Sequence, residues 1–196
     1  SMAACEGALL LVDAAQGVEA QTVSNAYLAI DSDLVIIPVI NKIDTDNADI
    51  ESTSSQLIDL LGCKKEEIIS ISAKNNIGID SILNSIINSI PHPKDLNEDG
   101  TRALIFDSIY DQYRGVILYL RIFDGFIKKN MNFKSFRMNG INEIIEVGIL
   151  RLGKVPAHIL SVGEVGYIVT NIKNVSEVNV GDTITIVGDE SKKPLS

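Results

Sequence analysis

Tryptophan is absent from this sequence of 196 residues, and five phenylalanines and five tyrosines are its only aromatic residues. Isoleucine, leucine and valine must therefore build the core, and an apolar content of 45% is ample for that purpose. The two cysteines, Cys5 and Cys63, lie far apart, which predicts free, buried or half-buried thiols in a reducing compartment. His92 and His158 are equally isolated, so we expect no zinc site and no other metal site in this chain.

The sequence also lacks any apolar run close to the roughly 20 residues that span a bilayer, and it shows no basic, apolar leader at its start. Positive charge is scarce in one half only. Residues 1–93 carry four lysines, no arginine and thirteen acidic residues, whereas residues 94–196 carry thirteen of each sign. This difference indicates two domains. Residues 102–154, with nine basic and five acidic side chains, are compatible with a surface for phosphate groups or with a solvated β surface.

The first half alternates between apolar runs and amphipathic segments. The apolar runs at 8–14, 34–40 and 68–72 predict buried strands, and the segments at 18–30, 48–61 and 78–90 predict helices. Gly62 is a typical residue for the end of a helix. Strands that alternate with helices form a parallel sheet, so this half is predicted to be an α/β domain.

The second half has a different pattern, which begins after the prolines at 91 and 93 end the third helix. Short apolar segments lie at 103–106, 116–122, 144–150, 166–172 and 182–187. Asp124-Gly125 and Asn139-Gly140 are hairpin turn signals, and together these features predict a small β-barrel. The predicted fold class is therefore α/β followed by all-β. The predicted boundaries are a first domain at 1–93, a linker at 94–101, a barrel at 102–188 and a polar tail at 189–196.

Asn41-Lys42-Ile43-Asp44 directly follows the apolar run at 34–40. In an open α/β sheet, residues just past the carboxyl end of a strand face the crevice where ligands bind. The Asp44 carboxylate can accept from both the ring N–H and the exocyclic amine of guanine, a donor pair that adenine lacks. The Asn41 amide can donate and accept at the other edge of the base, and the Lys42 stem can lie along the ring face.

A second strand, at 68–72, ends in Ser72-Ala73-Lys74, and we expect backbone N–H groups of this turn to point at the guanine carbonyl oxygen. Together the two segments predict a guanine-nucleotide site, formed by Asn41, Lys42, Asp44, Ser72, Ala73 and Lys74. Two alternatives stay open. Asn41 and Asp44 can instead cap the next helix while Lys42 is solvated, or the four letters can be a chance match in an unrelated α/β enzyme.

Residues 4–22, Ala-Cys-Glu-Gly-Ala-Leu-Leu-Leu-Val-Asp-Ala-Ala-Gln-Gly-Val-Glu-Ala-Gln-Thr, resemble the segment after the second switch of translational GTPases. The sequence of this segment is most similar to the LepA type, also called elongation factor four. Residues 41–44 and 72–74 match the base-reading motifs of that family, 104–116 resemble the opening of its barrel, and 180–184 resemble the last barrel strand. One departure is small: Asn130 stands where the family usually has glycine, and asparagine tolerates a left-handed turn nearly as well.

A larger departure concerns the phosphates. A GTPase needs a G-x-x-x-x-G-K-[ST] loop to cradle phosphates, together with switch segments that hold Mg²⁺ and position water. The sequence contains no such loop and no such switch segments. The resemblance therefore describes residues 1–93 as the base-recognition half of a GTP-binding domain. We expect no catalytic and no Mg²⁺-binding residue in this chain, weak nucleotide binding, no GTP hydrolysis, and self-association through the open edge of the strand at 8–14.

By resemblance, the parent protein binds GTP or GDP with Mg²⁺, hydrolyses GTP and promotes backward movement of tRNAs on the ribosome. Its partners would be ribosomal RNA and ribosomal proteins, with tRNA contacted indirectly and no DNA. The locations that the resemblance implies are the cytoplasm, an organelle of bacterial origin, or the periphery of a membrane. A function of another class stays open, in which the chain is a non-catalytic module whose barrel binds ribosomal RNA or protein.

Overall fold

The computed structural model describes residues 2–93, 100–137, 140–174, 178–189 and 193–195. These residues divide into two compact units, one built mainly of residues 4–92 and one that runs from residue 93 onward. Most of the predicted linker at 94–101 and half of the predicted tail at 189–196 lie outside the described residues. The boundaries 1–93 and 102–188 therefore stay predictions.

Within residues 2–93 the first unit has three strands and three helices. They are β1 (Gly7–Asp13), α1 (Ala20–Asp31), β2 (Val35–Asn41), α2 (Ile50–Leu61), β3 (Ile69–Ser70) and α3 (Ile79–Ser89). Short 3-10 helices lie at Met2–Ala4 and Lys65–Glu67. The strands form a parallel sheet in the order β1-β2-β3, so the predicted α/β arrangement is confirmed.

Helices pack on both faces of this sheet. Apolar residues of β1 and β2 pack against α1 and α2 on one face, in a cluster made of Leu10, Val12, Ala14, Ala26, Ile40 and Leu57. Ile37, Val39 and Ile71 pack against Ile82 of α3 on the other. Leu9 and Leu11 alternate with the buried residues of β1, and their side chains remain 43% and 55% exposed.

Local sequence signals determine where helix α2 begins and ends. It begins after Asp49, whose carboxylate accepts from the backbone N–H of Ser52 at 2.9 Å. It ends at Gly62, which adopts a left-handed conformation with φ +66° and donates to Ile58 O at 2.8 Å, as predicted. No helix among the described residues is long and apolar enough to cross a membrane.

The second unit is a β-barrel with nine strands among its described residues. They are β4 (Arg102–Asp111), β5 (Gly115–Asp124), β6 (Phe126–Lys128), β7 (Asn132–Ser135), β8 (Asn142–Leu150), β9 (Lys154–Pro156), β10 (Ile159–Ser161), β11 (Val165–Thr170) and β12 (Thr183–Ile186). Antiparallel pairs close a ring in the order β4-β5-β11-β8-β7-β12. The all-β prediction is confirmed, and Asn130 has the expected left-handed conformation, with φ +66°.

One local prediction for the barrel, and one for a cysteine, need correction. Asp124-Gly125 does not form a hairpin turn, because β5 pairs with β4 and β11 whereas β6 pairs with β10. The hairpin in this region instead joins β4 to β5, with Asp111 paired to Gly115. Asn139 lies outside the described residues. Neither cysteine forms a disulfide, and Cys63 is half-buried as expected, but Cys5 is exposed.

Candidate nucleotide-binding site

The carboxyl ends of β1 and β2 lie side by side at one edge of the sheet. Asp13, the last residue of β1, pairs in register with Asn41, the last residue of β2. The backbone N–H of Ala14 donates to Asn41 O at 2.9 Å, and Ile71 N donates to Ile40 O at 2.8 Å. The loops that follow β2 and β3 are therefore neighbours at the edge where open α/β sheets bind ligands. We call residues 41–44 and 72–74 the rim.

Asn41 joins the two segments of the rim. Its side-chain Oδ1 accepts from the backbone N–H of Ala73 at 3.1 Å, although the two residues lie far apart in the sequence. This bond uses the acceptor half of the amide and leaves its NH₂ group, the donor half, for a ligand. The sequence predicted only a contact of Asn41 with the base. The bond with Ala73 shows that the same side chain also holds the two segments together.

Lys42 has an unusual backbone and a fixed side chain. Its φ is +64°, in the left-handed region that residues with a Cβ rarely adopt. Its carbonyl accepts from both Thr45 N at 3.2 Å and Thr45 Oγ1 at 2.9 Å. Its Nζ lies 2.6 Å from Asp13 Oδ2, while 58% of the Lys42 side chain is exposed. Such outliers cluster at functional sites, where surrounding contacts hold them in place.

Asp44 is exposed on the rim. The Ser72 hydroxyl lowers the pKa of the Asp44 carboxyl below its usual value, and the charge of Lys74 acts in the same direction. Asp44 is therefore a charged acceptor at neutral pH, which is the state that pairing with two N–H donors of guanine requires. Ser72 itself is fully buried, and its Oγ accepts from Asn75 N at 3.1 Å.

The turn after β3 differs in detail from the expectation. We expected the backbone N–H groups of Ser72, Ala73 and Lys74 to point at the base. Ser72 N instead donates to Ile77 O at 3.1 Å, and Ala73 N donates to Asn41. Within the described residues, Lys74 N is the one group of the three that makes no such bond, and Ala73 and Lys74 are both exposed.

The helix-capping alternative for the motif is not supported. Asp49, not Asn41 or Asp44, is the residue that caps α2, and Lys42 is paired with Asp13 instead of being merely solvated. The rim adjoins a cavity of about 240 Å³ lined by Asp13 and Lys42 among others. Among the residues that the structure describes, no group of three or more His, Cys, Asp or Glu side chains is arranged to hold a metal ion.

Sequence reasoning missed Asp13 as a member of the site. Its carboxylate is mostly buried, with 15% of the side chain exposed. The signal was present, because Asp13 lies at the end of the first apolar run, at 8–14, and Asn41 directly follows the next run, at 34–40, and parallel strands bring such ends together. Gln56 was missed as well: its Oε1 accepts from Val18 N at 2.7 Å and ties the loop after β1 to α2.

Comparison with known proteins gives two family matches. Residues 1–92 match the family described as the elongation factor Tu GTP binding domain. Residues 115–185 match the family described as elongation factor Tu domain 2. The two matches follow each other in the same order as the α/β unit and the barrel. They leave no room for the alternative of an unrelated α/β enzyme with a chance motif.

Individual relatives are similar over the whole chain. Elongation factor 4 of Pelodictyon phaeoclathratiforme is 48% identical over 196 residues, which are 100% of this chain and 32% of that protein. Elongation factor 4 of Amoebophilus asiaticus is 51% identical over 195 residues, or 100% of this chain and 33% of that protein. The chain thus spans about a third of the length of these relatives.

A solved structure shares the fold. The apo form of translation elongation factor SelB from Methanococcus maripaludis aligns with a TM-score of 0.75 and 22% sequence identity. The alignment covers 94% of this chain and 40% of that protein. This likeness concerns the fold of an α/β domain followed by a barrel.

Proposed function

Because the chain belongs to the elongation factor 4 family, we propose that it forms the guanine-reading part and the following barrel of a longer GTP-hydrolysing translation factor. The observation that carries this proposal is the bond between Asn41 Oδ1 and Ala73 N. It unites two segments, each suited to guanine, into one rim. Asp44 then stands beside it as an ionised acceptor.

The rim supports a specific way of reading the base. The Asp44 carboxylate accepts from the ring N–H and the exocyclic amine of guanine, which adenine cannot offer. In this proposal the Asn41 NH₂ group donates to an acceptor on the other edge of the base, and Lys74 N donates to the carbonyl oxygen. The Lys42 stem covers one face of the ring. GTP and GDP share this base, so the rim serves both.

Phosphate and Mg²⁺ chemistry is assigned to other parts of the longer protein. The 196 residues contain no Gly-x-x-x-x-Gly-Lys-Ser/Thr loop, which is the usual cradle for phosphates. Most of the binding energy and the catalysis of such enzymes comes from positioning phosphate, metal and water. We therefore assign no catalytic and no Mg²⁺-binding role to this chain, and we expect it to bind nucleotide weakly and to hydrolyse no GTP by itself.

The ribosome is the partner that this family assignment supports. Four further expectations rest on the resemblance. They are contact with ribosomal RNA and proteins, indirect contact with tRNA, backward movement of tRNA, and a location in the cytoplasm, in an organelle or at the periphery of a membrane. The barrel offers cations over aromatic rings, with Lys128 Nζ 4.6 Å from the Phe126 ring centroid and Lys154 Nζ 5.5 Å from that of Tyr119. The excess of basic side chains in residues 102–154, nine against five acidic ones, favours the second candidate, a non-catalytic module that binds ribosomal RNA or protein. Co-sedimentation with ribosomes, with and without GTP, separates the two candidates.

Asp44→Asn in the longer protein tests the proposed function. The substitution replaces an acceptor with a donor opposite the guanine amine, and one lost partner costs about 1–3 kcal/mol. GDP affinity is therefore expected to fall, while affinity for xanthosine diphosphate, which offers an oxo group there, is expected to rise. Competition binding with both nucleotides measures the ratio. Asp59→Asn, which changes an exposed carboxylate on α2, is the matched control. An unchanged preference for guanine in Asp44→Asn would show that this residue does not read the base.

A further inference from the structure

Contacts within the protein hold the backbone at Lys42 in one conformation. Its left-handed φ of +64° is unfavourable for a residue with a side chain. Two hydrogen bonds from Thr45 to its carbonyl hold that conformation, and Ile43 N donates to Ile71 O at 3.3 Å on the other side. The Lys42 Cα is therefore held in place between the ends of β2 and β3.

The side chain of Lys42 is fixed by Asp13. Both oxygens of this carboxylate are engaged, since Oδ1 accepts from Ala15 N at 2.8 Å and Oδ2 lies 2.6 Å from Lys42 Nζ. The Asp13 carbonyl also accepts from Gly17 N at 2.9 Å, which closes the loop around it. Asp13 is thus anchored on the backbone side, and Lys42 spans from the end of β2 to the end of β1.

We propose that Asp13 is a positioning residue of the nucleotide site: it anchors the ammonium group of Lys42, so that the methylene stem lies along one side of the base slot before a nucleotide binds. This inference rests on the proposed function, because the stem has a task only if the rim binds a base. A free lysine side chain has high rotamer entropy, and fixing it in advance reduces the entropy that binding must remove.

Charge and exposure support a role in binding more than one in folding. The ion pair lowers the pKa of Asp13 and raises the pKa of Lys42, so both groups stay charged around neutral pH. More than half of the Lys42 side chain is nevertheless exposed, at 58%. Ion pairs that reach solvent in this way contribute little to stability. Removing the charge of Asp13 should therefore leave the fold intact.

A double-mutant cycle in the longer protein tests the inference. The variants are Asp13→Asn, Lys42→Met and the two combined, with Asp59→Asn as control. Asn at position 13 keeps an oxygen that accepts from Ala15 N but loses the charge, and Met at position 42 keeps an apolar stem that Asp13 cannot hold. The readouts are the Kd for a fluorescent GDP derivative, the ratio of GDP to xanthosine diphosphate affinity, and the melting temperature.

We expect Asp13→Asn to weaken GDP binding by about fivefold, the size of a partly exposed ion pair. The double variant should bind GDP as Lys42→Met does, since Asp13 then has no cation to hold. The preference for guanine over xanthine should stay unchanged, because the ion pair does not contact the base edge. The melting temperature should move by less than about 2 °C. The control should resemble the wild type in every readout.

Three results would overturn the role of Asp13. They are wild-type GDP affinity in Asp13→Asn, losses that multiply in the double variant, and a weakened affinity that parallels a lowered melting temperature. A failure of the proposed function looks different. In that case the unsubstituted protein does not prefer GDP over ADP, or Asp44→Asn leaves the base preference unchanged. Either result would also remove the basis for the positioning role of Asp13.

Discussion

At the scale of single residues, the amide group of Asn41 makes one observed contact and allows one proposed role. Its oxygen holds Ala73 N, and its nitrogen is left to donate to a base. A carboxylate at this position keeps the acceptor but has no donor, whereas alanine has neither. Substitutions at Asn41 can therefore separate the two roles, whereas substitutions at the exposed Asp44 cannot.

Asn41→Asp and Asn41→Ala should differ in the order of the rim but not in the loss of base recognition. Alanine leaves Ala73 N without its acceptor, at a cost of about 0.5–1.5 kcal/mol, so exchange of the Ala73 amide hydrogen should accelerate by up to about tenfold. Aspartate should retain slow exchange. Both variants should weaken GDP binding, because both lack the NH₂ donor. Hydrogen exchange followed by NMR measures the first effect and competition binding the second.

Equal exchange rates at Ala73 in the two variants would show that the 3.1 Å contact does not protect this amide. Wild-type GDP affinity in Asn41→Asp would show that the NH₂ group does not contact the base. The two outcomes are independent, so each role of Asn41 is tested by itself.

At the scale of elements, periodicity predicted the long segments and missed four short strands of the barrel. Helices α2 and α3 and strands β1 and β2 were predicted to within two residues, because each has a long apolar pattern and clear end signals. Strands β6, β7, β9 and β10 have three or four residues and contain at most two adjacent apolar side chains, whereas the equally short β3 and β12 lie in the longer apolar segments 68–72 and 182–187. The Asp124-Gly125 error has another cause: turn chemistry is local, whereas the partner of a strand is set by the whole barrel.

The same reasoning explains what was missed at the site. Each of the two segments of the rim is short and continuous in sequence, so a motif could predict it, and the bond between Asn41 Oδ1 and Ala73 N brings the two segments together. The ion pair between Asp13 and Lys42 depends on the register of β1 against β2 and on a left-handed backbone at one position. Neither quantity can be read from apolar periodicity.

Strand β1 leads to a prediction about association. Within the described residues it pairs only with β2, and Leu9 and Leu11 on this edge strand are 43% and 55% exposed. An open, apolar edge strand tends to pair with another chain, and a lysine on it opposes such pairing. The 196-residue chain should therefore self-associate as its concentration rises, and Leu11→Lys should reduce this association.

Analytical ultracentrifugation at moderate salt measures the effect, since salt screens repulsion between negatively charged units. Leu152→Lys is the control, because Leu152 is fully exposed in the barrel unit and distant in sequence from β1. A monomeric wild-type chain at every concentration, or an equal effect of both substitutions, would contradict the prediction that β1 mediates association.

At the scale of the whole molecule, the two units differ in charge as they differ in fold. The counts of acidic and basic residues give residues 1–93 a net charge of −9 and residues 94–196 a net charge of zero. Under the proposed function, the negative α/β unit recognises the nucleotide and the neutral barrel, which has basic segments, contacts a larger partner. The first of these tasks is the central one, because the proposed link of this chain to GTP depends on the rim.

A structure of the longer protein with GDP bound tests that central claim most directly. We predict that the guanine base occupies the rim, with the Asp44 carboxylate oxygens within about 3.2 Å of the ring nitrogen and the exocyclic amine. Lys42 should lie along the base while its Nζ stays near Asp13. Bound GDP whose base lies elsewhere, with residues 41–44 and 72–74 free of ligand, would contradict the account.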